Sequence, residues 1–445
     1  MAELSPLEAV VRAQDQGLAR GVPSVCSAHP MVLQAAFAQA LEDGGTALVE
    51  STSNQVNQEG GYTGVRPAEF VVFVLGLAKE AGLPADRLVL GGDHLGPHPW
   101  KAQGAAIAMA RAAEMVRQYV AAGYTKIHLD ASMACADDAP GPLADTVAAA
   151  RTADLAAAAE AGLSERPAGR PAPLYVVGTE VPPPGGQEGG HEGGPAVTRV
   201  EDAERTLDLV REAFARRGLE RAWKRVVALV VQPGVEFGDE AVFRYRPGAT
   251  AGLKALAKSR GVVFEAHSTD YQEESALRAL VADRFAILKV GPELTFALRE
   301  AVFALEEIER ELLGRSASDR LSGVRQALEE AMLRDPRHWK PYYHADEERA
   351  RLQRRYSLSD RCRYYWPCPE VQDALRRLLA NLEGRSLPRG LVRQYLPDAV
   401  ATAAEGRPGL PGCLVRNHVR RVLARYARAC RETTGVSADP GLPVI

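Results

Sequence analysis

The stretch that decides the fold is Leu88-Val89-Leu90-Gly91-Gly92-Asp93-His94-Leu95-Gly96-Pro97. Its short apolar run predicts a buried strand, and its glycines with Gly96-Pro97 predict a tight loop that ends the strand. At that end Asp93 and His94 are neighbours, and their side chains point in opposite directions if strand geometry continues through them. A neutral histidine is a common metal ligand, and a carboxylate beside it can move a proton near that metal. The alternative is purely structural, with Asp93 capping the next helix and His94 satisfied by hydrogen bonds.

Apolar runs of this kind alternate with helical patterns along most of the chain. The alternation predicts an α/β fold, and eight units of near-uniform spacing predict a (β/α)8 TIM barrel over residues 1–313 that carries the active site. A doubly wound sheet would alternate in the same way, but it would not usually carry polar residues at every strand end. Residues 314–445 have helical patterns only, which predicts a helical C-terminal extension that packs on the barrel. The eight predicted strands are 22–28, 46–50, 87–90, 125–129, 174–178, 225–231, 262–266 and 285–289.

The composition narrows the class of protein. With 445 residues, 46% of them hydrophobic, and a net charge of -3, the chain has the balance of a globular protein and does not suggest a nucleic-acid partner. No apolar run approaches the roughly 18 residues that a membrane helix needs, and the first residues lack the pattern of a signal peptide. The six cysteines have no CxxC spacing, so neither a disulfide framework nor a zinc knuckle is indicated. We therefore expect a cytoplasmic protein.

Polar residues collect at the predicted strand ends. In a (β/α)8 barrel the active site lies at the carboxyl ends of the strands, so these residues would share one barrel mouth. Strand-end loops are commonly polar, so a single polar residue there is weak evidence for a site. Polar residues from several strands at one barrel mouth are stronger evidence. The expected substrate-binding residues are Glu50, Ser51, Ser53, Asn54 and Asn57 after strand two, and Ser132, Ser268, Asp270 and Lys289 after later strands.

Four of the strand ends could supply a metal site. His94, Glu180, Gln232 and His267 follow strands three, five, six and seven, and two imidazoles with a carboxylate suit zinc, with manganese or nickel as alternatives. An amide oxygen is a rare ligand, so Glu236 competes with Gln232. The histidines could instead form hydrogen bonds only.

Such a site suggests retro-aldol chemistry. A Lewis acid that holds a ketose carbonyl and the neighbouring hydroxyl polarises the C3–C4 bond, while a carboxylate takes the C4 hydroxyl proton. We expect Asp93 and Asp130 to be the acid and base, with Glu180 as a further catalytic residue. No P-loop or dinucleotide fingerprint follows the first strand, so an NAD-dependent oxidation is not expected.

Two further segments allow two interpretations each. The glycine- and proline-rich segment Pro182–Pro195 could be a lid over the site or a flexible insertion. The segment Tyr356–Pro367 is rich in arginine and aromatic residues. It could serve packing of the extension, or its Arg361 could reach an anionic group at the barrel rim, because guanidinium groups suit phosphate.

Seven motifs together carry a family resemblance: Gly21–Pro30, Glu50–Gln58, Gly60–Gly64, Gly91–Pro97, His128–Ser132, Glu265–Tyr271 and Tyr356–Pro367. They resemble the tagatose-bisphosphate aldolase family of so-called non-catalytic subunits. The resemblance implies an accessory subunit that stabilises a separate class II aldolase chain. The family also includes relatives that act as metal-dependent C4-epimerases on tagatose, fructose or their 6-phosphates.

The family is itself similar to class II aldolases. That similarity implies a proton-transfer acid at Asp93 and metal ligands at His94 and His267, with Glu180 matching a glutamate after strand five. The chain departs from the aldolases at strand six, where Gln232 stands in place of a histidine ligand. It departs again after His267, where Ser268-Thr269-Asp270 replaces the glycine-rich phosphate loop.

Our leading interpretation is a metal-dependent C4-epimerase of a ketohexose or ketohexose 6-phosphate. The enzyme would cleave the C3–C4 bond, let the aldehyde rotate, and add it back on its other face. The first alternative is an accessory subunit of a class II D-tagatose-1,6-bisphosphate aldolase, and the second is a stand-alone ketose-bisphosphate aldolase. The expected partners are a sugar or sugar-phosphate substrate, a class II aldolase catalytic chain, and further copies of this chain in a homo-oligomer.

Overall fold

A computed structural model describes residues 4–178, 194–314, 321–343, 346–400 and 410–431. Its strands, numbered in chain order, are β1 (Val22–Val25), β2 (Ala47–Thr52), β3 (Leu88–Leu95), β4 (Lys126–Leu129), β5 (Leu174–Val177), β6 (Val226–Val230), β7 (Glu236–Phe237), β8 (Val242–Phe243), β9 (Val263–Ala266) and β10 (Phe285–Val290).

Eight of these strands close into a parallel barrel. Their order is β1-β10-β9-β6-β5-β4-β3-β2, and each adjacent pair is parallel. The predicted (β/α)8 barrel is therefore confirmed. The remaining pair, β7 and β8, forms a short antiparallel hairpin after β6, outside the eight predicted strands.

Helices follow the strands and surround the barrel. Prolines open several of them and glycines end others: Pro30 is the first residue of the second helix, and Gly44 ends it in the left-handed conformation at φ 68°. None of the helices in the described ranges is long and apolar enough to cross a membrane. The helices are α1 (Pro6–Asp15), α2 (Pro30–Asp43), α3 (Pro67–Ala81), α4 (Ala105–Ala121), α5 (Asp145–Ala161), α6 (Val200–Arg216), α7 (Glu220–Trp223), α8 (Ala251–Arg260), α9 (Glu274–Ala282), α10 (Pro292–Leu313), α11 (Val324–Arg334), α12 (Glu347–Tyr356), α13 (Pro369–Leu382), α14 (Arg389–Tyr395) and α15 (Leu410–Cys430).

The interior of the barrel has an apolar lower half. Leu48, Val89, Val176 and Ile287 point inward from their strands, and Leu7 of α1 packs under them at the amino end. This packing closes the barrel from below, as expected for a filled (β/α)8 interior. Buried ionisable side chains, among them Glu50 and Lys289, lie above this apolar layer in the same barrel.

The helices after residue 314 pack directly on the barrel. The last helix of the described residues, α15, lies against α2, α9 and α10. The Tyr426 hydroxyl donates a hydrogen bond to the Thr269 carbonyl oxygen at 2.6 Å, and the Gly21 amide donates to the Cys430 carbonyl oxygen at 3.0 Å. The extension therefore contacts both the barrel wall and a loop at its mouth, and the division at residues 313 and 314 stays a prediction.

His29, which caps the amino end of α2, makes the folded state sensitive to acid. Its Nδ1 accepts a hydrogen bond from the Met31 amide, and burial lowers the pKa of His29 to about 4. An unfolded histidine has a pKa near 6.5, so unfolding takes up a proton between these two values. The stabilisation is thus complete above pH 6.5 and is lost as the pH falls toward 4.

We expect the variant His29→Asn to lose less stability in acid than the native protein. Asparagine is also a good N-cap, so the helix keeps its cap while the titrating group is removed. Thermal unfolding at pH 7.5 and pH 5.0 measures the effect, and the loss between these values should be smaller by about 2 kcal/mol in the variant. Any gap left by the smaller side chain lowers the free energy of unfolding by the same amount at both pH values. Equal losses in the two proteins would contradict the assignment.

Candidate functional site

A cavity opens at the carboxyl ends of the barrel strands. Its wall includes Asp93 and His94 from β3, Asp130 after β4, His267 after β9 and Lys289 from β10. Side chains from the C-terminal extension complete the outer wall. This is the place that the fold predicts for an active site.

Below the opening lies a set of buried charges that we call the charged floor: Glu50, Asp93, Lys126, Glu265 and Lys289. Lys126 Nζ lies 2.6 Å from Glu50 Oε1 and 2.5 Å from Glu265 Oε2, and all three side chains are fully buried. Lys289 Nζ lies 2.7 Å from Asp93 Oδ2 and also pairs with Glu50. The five groups come from β2, β3, β4, β9 and β10, so the charges join opposite sides of the barrel.

The charged floor fixes the protonation of its members. Burial alone would lower the pKa of Lys126, but the carboxylates of Glu265 and Glu50 raise it above its ordinary value. Burial would raise the pKa of Asp93, but Lys289 and His94 hold it well below its usual range. At neutral pH the Asp93 carboxylate is therefore ionised, and it can accept a proton but has none to donate.

Three histidines, His94, His128 and His267, form a cluster over the charged floor. The ring centroids of His94 and His267 are 4.7 Å apart, and those of His94 and His128 are 5.1 Å apart. His128 Nε2 donates to the Gly178 carbonyl oxygen at 2.9 Å, which leaves its Nδ1 facing Asp93 Oδ1 at 2.9 Å. Nδ1 also accepts a hydrogen bond from the His94 amide at 3.2 Å, so the His128 ring is oriented by three partners.

His267 has the arrangement expected of a metal ligand. Its Nε2 donates to Glu265 Oε1 at 2.9 Å, while its buried Nδ1 has no hydrogen-bond partner among the residues that the structure describes. Burial lowers the pKa of His267 to about 3, so the ring is neutral and Nδ1 carries a lone pair. A carboxylate that orients a neutral imidazole in this way is a common support for a metal-ligating histidine.

Four groups could hold a divalent metal: Asp93, His128, Glu265 and His267. Each offers one ligand atom, these atoms lie within 4.8 Å of one another, and all four residues are buried. Two imidazoles with two carboxylates suit zinc or manganese. The unpartnered Nδ1 of His267 adds to the fit, so the residues present are compatible with a metal.

This group differs from the predicted ligand set. His267 belongs to both, but Glu180 lies outside the described residues, as does most of the predicted lid at Pro182–Pro195. The Gln232 side-chain oxygen accepts hydrogen bonds from the amides of Gly234 at 2.8 Å and Val235 at 3.0 Å. Gln232 therefore lies outside the group that could hold a metal, and its place among the ligands stays a prediction.

The competing ligand Glu236 does not belong to the group either. Its Oε1 accepts from the Phe237 amide at 2.9 Å, and its Oε2 accepts from the Ser268 hydroxyl at 3.2 Å. Glu236 is the first residue of the hairpin formed by β7 and β8, and its side chain forms hydrogen bonds with nearby loop residues.

His94, also predicted as a ligand, pairs with Asp130 instead. Its Nδ1 donates to Asp130 Oδ2 at 2.7 Å, and its side chain is 22% exposed toward the cavity. Burial would lower the pKa of His94, but the carboxylates of Asp93 and Asp130 raise it. His94 also has a positive φ of 47°, which is costly for a residue with a Cβ and is found most often at functional sites. The arrangement is an oriented imidazole that faces the cavity and can carry a proton.

The predicted substrate-binding residues divide into two groups. Those that line the cavity are Asn54, Ser132, Ser268, Asp270, Lys289 and Arg361. Those that do not are Glu50, Ser51, Ser53 and Asn57, because their side chains are buried in the barrel or its loop. For example, the Ser51 hydroxyl bonds to the hydroxyls of Tyr119 and Tyr124, and Asn57 Oδ1 accepts from the amides of Glu59 and Gly61.

Three residues of the site were absent from the predicted set: Lys126, His128 and Glu265. A signal for them exists in the sequence. Lys126 and His128 alternate in an otherwise apolar strand, as Glu265 and His267 do at the end of another, so each pair points to the same side of the sheet. A charged residue at an inward position of a buried strand is rare unless it is paired, which makes the alternation informative.

The chain is similar to known proteins over nearly its whole length. The family model described as "D-tagatose-1,6-bisphosphate aldolase subunit GatZ/KbaZ-like" matches residues 7–431. The D-tagatose-1,6-bisphosphate aldolase subunit GatZ of Salmonella heidelberg (strain SL476) is 49% identical over 411 residues, covering 92% of this chain and 96% of the relative. The GatZ subunit of Klebsiella pneumoniae subsp. pneumoniae is 47% identical over 415 residues, with coverage of 93% and 96%.

A solved structure agrees with the fold. It is the crystal structure of a protein from Sinorhizobium meliloti 1021 described as a "probable tagatose 6 phosphate kinase". The two chains share 44% identity with a TM-score of 0.82, and the match covers 92% of this chain and 100% of the other.

These comparisons correct our leading interpretation. The curated relatives are named as subunits of an aldolase, so the expectation of a C4-epimerase is wrong and the first alternative fits better. The family predicted from the sequence motifs is confirmed. This chain belongs to the GatZ/KbaZ-like family of D-tagatose-1,6-bisphosphate aldolase subunits.

Proposed function

We propose that this chain is a subunit of a D-tagatose-1,6-bisphosphate aldolase and acts together with a separate class II aldolase chain. The observation that carries the proposal is the nearly full-length likeness to relatives that bear this name. The same likeness spans both the barrel and most of the extension, so the proposal concerns the whole described chain.

The proposal includes a divalent metal held by Asp93, His128, Glu265 and His267, with zinc as the first candidate and manganese or nickel as alternatives. Their proximity and the unpartnered Nδ1 of His267 support it. When bound, such a metal acts as a Lewis acid on a ketose carbonyl and its neighbouring hydroxyl.

The remaining residues of the cavity have separate tasks in this proposal. His94, oriented by Asp130, holds or releases the proton of a sugar hydroxyl, since it is the imidazole that reaches the cavity with a raised pKa. The ionised Asp93 has no proton to donate, so we assign it to the metal and to Lys289. Asn54, Ser132, Ser268 and Asp270 line the cavity and would form hydrogen bonds with sugar hydroxyls.

A stand-alone ketose-bisphosphate aldolase is the second candidate. The ionisable residues of the cavity favour it, because a subunit that only stabilised another chain would not need an oriented imidazole beside a metal-compatible group. The two candidates differ in whether the chain cleaves the substrate by itself.

The experiment is to produce this chain alone, a class II aldolase chain alone, and the two together. We expect the pair to elute as one complex in size-exclusion chromatography. We also expect the cleavage of tagatose 1,6-bisphosphate to survive several-fold longer than with the aldolase chain alone. Elemental analysis of the purified chain should find a divalent metal that the variant His267→Ala loses, while the complex still forms.

Each outcome decides between the candidates. Separate elution with an unchanged half-life would contradict the role of a subunit. Cleavage by this chain alone, lost in His267→Ala, would establish the stand-alone aldolase. A native chain that retains no metal after loading and dialysis would contradict the proposed metal site.

A further inference from the structure

The outer wall of the cavity is built by the C-terminal extension. We call it the arginine wall and define it as Tyr342, Arg361, Arg363 and Tyr364, which all line the cavity. Three of the four belong to one 3-10 helix, Arg361–Tyr365. The wall faces the barrel loop after β2, because the Tyr62 ring packs edge-to-face on Tyr364 with ring centroids 4.8 Å apart.

The side chains of the charged floor carry a net negative charge and do not by themselves attract an anion. Its three carboxylates outnumber its two ammonium groups, and Asp130 and Asp270 add further acidic groups to the cavity wall. Lys289, the cation of the floor that lines the cavity, is already paired with two carboxylates. The arginine wall adds the positive side-chain charge that an anionic group held away from the floor would need.

Arg363 has no carboxylate partner among the residues that the structure describes. Its guanidinium donates to the carbonyl oxygens of Ser359 and Asp360 and, at 3.1 Å, to the hydroxyl of Tyr364. The nearby Asp360 carboxylate is engaged elsewhere, accepting from Arg299 at 2.9 Å and Thr295 at 2.6 Å. The charge of Arg363 is thus held rigidly at the cavity without being neutralised.

Arg361 adds a second guanidinium in a buried setting. Its side chain is only 2% exposed, lies over the Tyr342 ring and donates to the His338 carbonyl oxygen at 3.1 Å. The field of the two arginines also acts on their neighbour, since burial would raise the pKa of Tyr364 but the charges of Arg363 and Arg361 lower it. Two guanidinium groups supported by aromatic rings form a site for an oxyanion that is bound through several charge-assisted hydrogen bonds.

We propose that the arginine wall binds the phosphoryl group of a phosphorylated ketose whose carbonyl end lies over the charged floor. The proposal rests on the proposed function and names the part of the ligand that the extension recognises. A phosphate monoester carries close to two negative charges at neutral pH, which matches two guanidinium groups better than a carboxylate does. The extension thereby becomes the element that selects phosphorylated sugars.

The test is calorimetric titration of the full chain with tagatose 6-phosphate and with tagatose. We expect the native protein to prefer the phosphorylated sugar and the variant Arg363→Gln to bind it at least about tenfold more weakly, as for the loss of a charged hydrogen bond. Binding of tagatose should be unchanged in the variant. Inorganic phosphate should compete with tagatose 6-phosphate in the native protein only.

The matched control is Arg355→Gln. Arg355 is a half-buried arginine of the same extension, but it pairs with Glu329 at 3.2 Å and lies outside the cavity lining. The substitution Arg355→Gln also removes one positive charge, but away from the cavity. The affinity of this variant for tagatose 6-phosphate should therefore stay within about twofold of the native value. The variant Arg363→Lys, which keeps the charge but not the fork, should fall between the native protein and Arg363→Gln.

Several outcomes would overturn the proposal. They are equal affinity of the native chain for the two sugars, binding of neither, tighter binding of a hexuronate than of tagatose 6-phosphate, or parallel loss of both sugars in Arg363→Gln. Because the comparison is between two ligands on one protein, a folding defect would lower both and would not mimic the expected result. Complex formation with the aldolase chain is a separate readout, so either proposal can fail without the other.

Discussion

Replacing Lys126 with methionine is expected to lower the free energy of unfolding by about 3–5 kcal/mol. Lys126 lies between Glu50 and Glu265, and its side chain and theirs are fully buried. Methionine has a similar volume, so packing changes little, but the carboxylates lose a compensating charge in a region that water does not reach. A buried charge that loses its partner is far more costly than the pair was favourable.

Urea denaturation followed by circular dichroism measures this effect. The control is Lys254→Met, which removes the same charge from an ion pair with Asp283 at 3.2 Å, where the lysine side chain is 47% exposed. The control should change stability by at most about 1 kcal/mol. The double variant Lys126→Met/Glu265→Gln should recover part of the loss, because one uncompensated carboxylate is removed. A Lys126→Met protein as stable as the control would show that the charged floor does not depend on this ammonium.

The second large effect is expected at Gly96, just after β3. A Cβ built at this position would lie 1.6 Å from the carbonyl oxygen of Asp130, so a strand end has to move to make room. We expect Gly96→Ala to destabilise the protein by about 3 kcal/mol or more, since overpacking against a backbone atom leaves no side chain to rotate away. The displacement would also pull Asp130 from His94 and so alter the cavity.

Gly76→Ala is the matched control for this substitution. Gly76 lies in the exposed part of α3, where a Cβ would meet no atom within 4 Å. Alanine is the better helix former, so the control should stabilise the protein by about 0.5–1 kcal/mol. Melting temperatures of the two variants should therefore move in opposite directions. A Gly96→Ala protein that melts at the native temperature would contradict the close approach of the two strand ends.

The positions of the strands and of the polar residues that follow them could be predicted, because both depend on local sequence. The strand after Arg87, for example, shows its apolar run and its glycines within ten residues, and the observed β3 begins at Leu88. Its length was underestimated, because pairing with β2 extends it to Asp93 and the pairing of Leu95 with β4 extends it further. The pairing depends on neighbouring strands, so the full length of β3 could not be predicted from its own sequence alone.

The ligand group was harder to predict than the fold. His267 was identified because it stands at a strand end, where active sites of this fold are found. His128 and Glu265 lie one step deeper in their strands, and their inward direction depends on how the barrel closes. Gln232 lies outside the group that could hold a metal, and two amides of its own loop donate hydrogen bonds to its side-chain oxygen.

The contacts of α15 have a consequence for the order in which the molecule can be assembled during synthesis. The barrel closes where β1 meets β10, and α15 covers this seam, with its Cys430 carbonyl bonded to Gly21 just before β1. On the ribosome, β1 emerges long before either β10 or α15, so the edge of β1 that pairs with β10 stays unpaired until β10 has been synthesised. Unpaired strand edges are prone to pair with other molecules. Nascent chains that stop before β10 should therefore aggregate, and the seam is covered only when α15 has also been released.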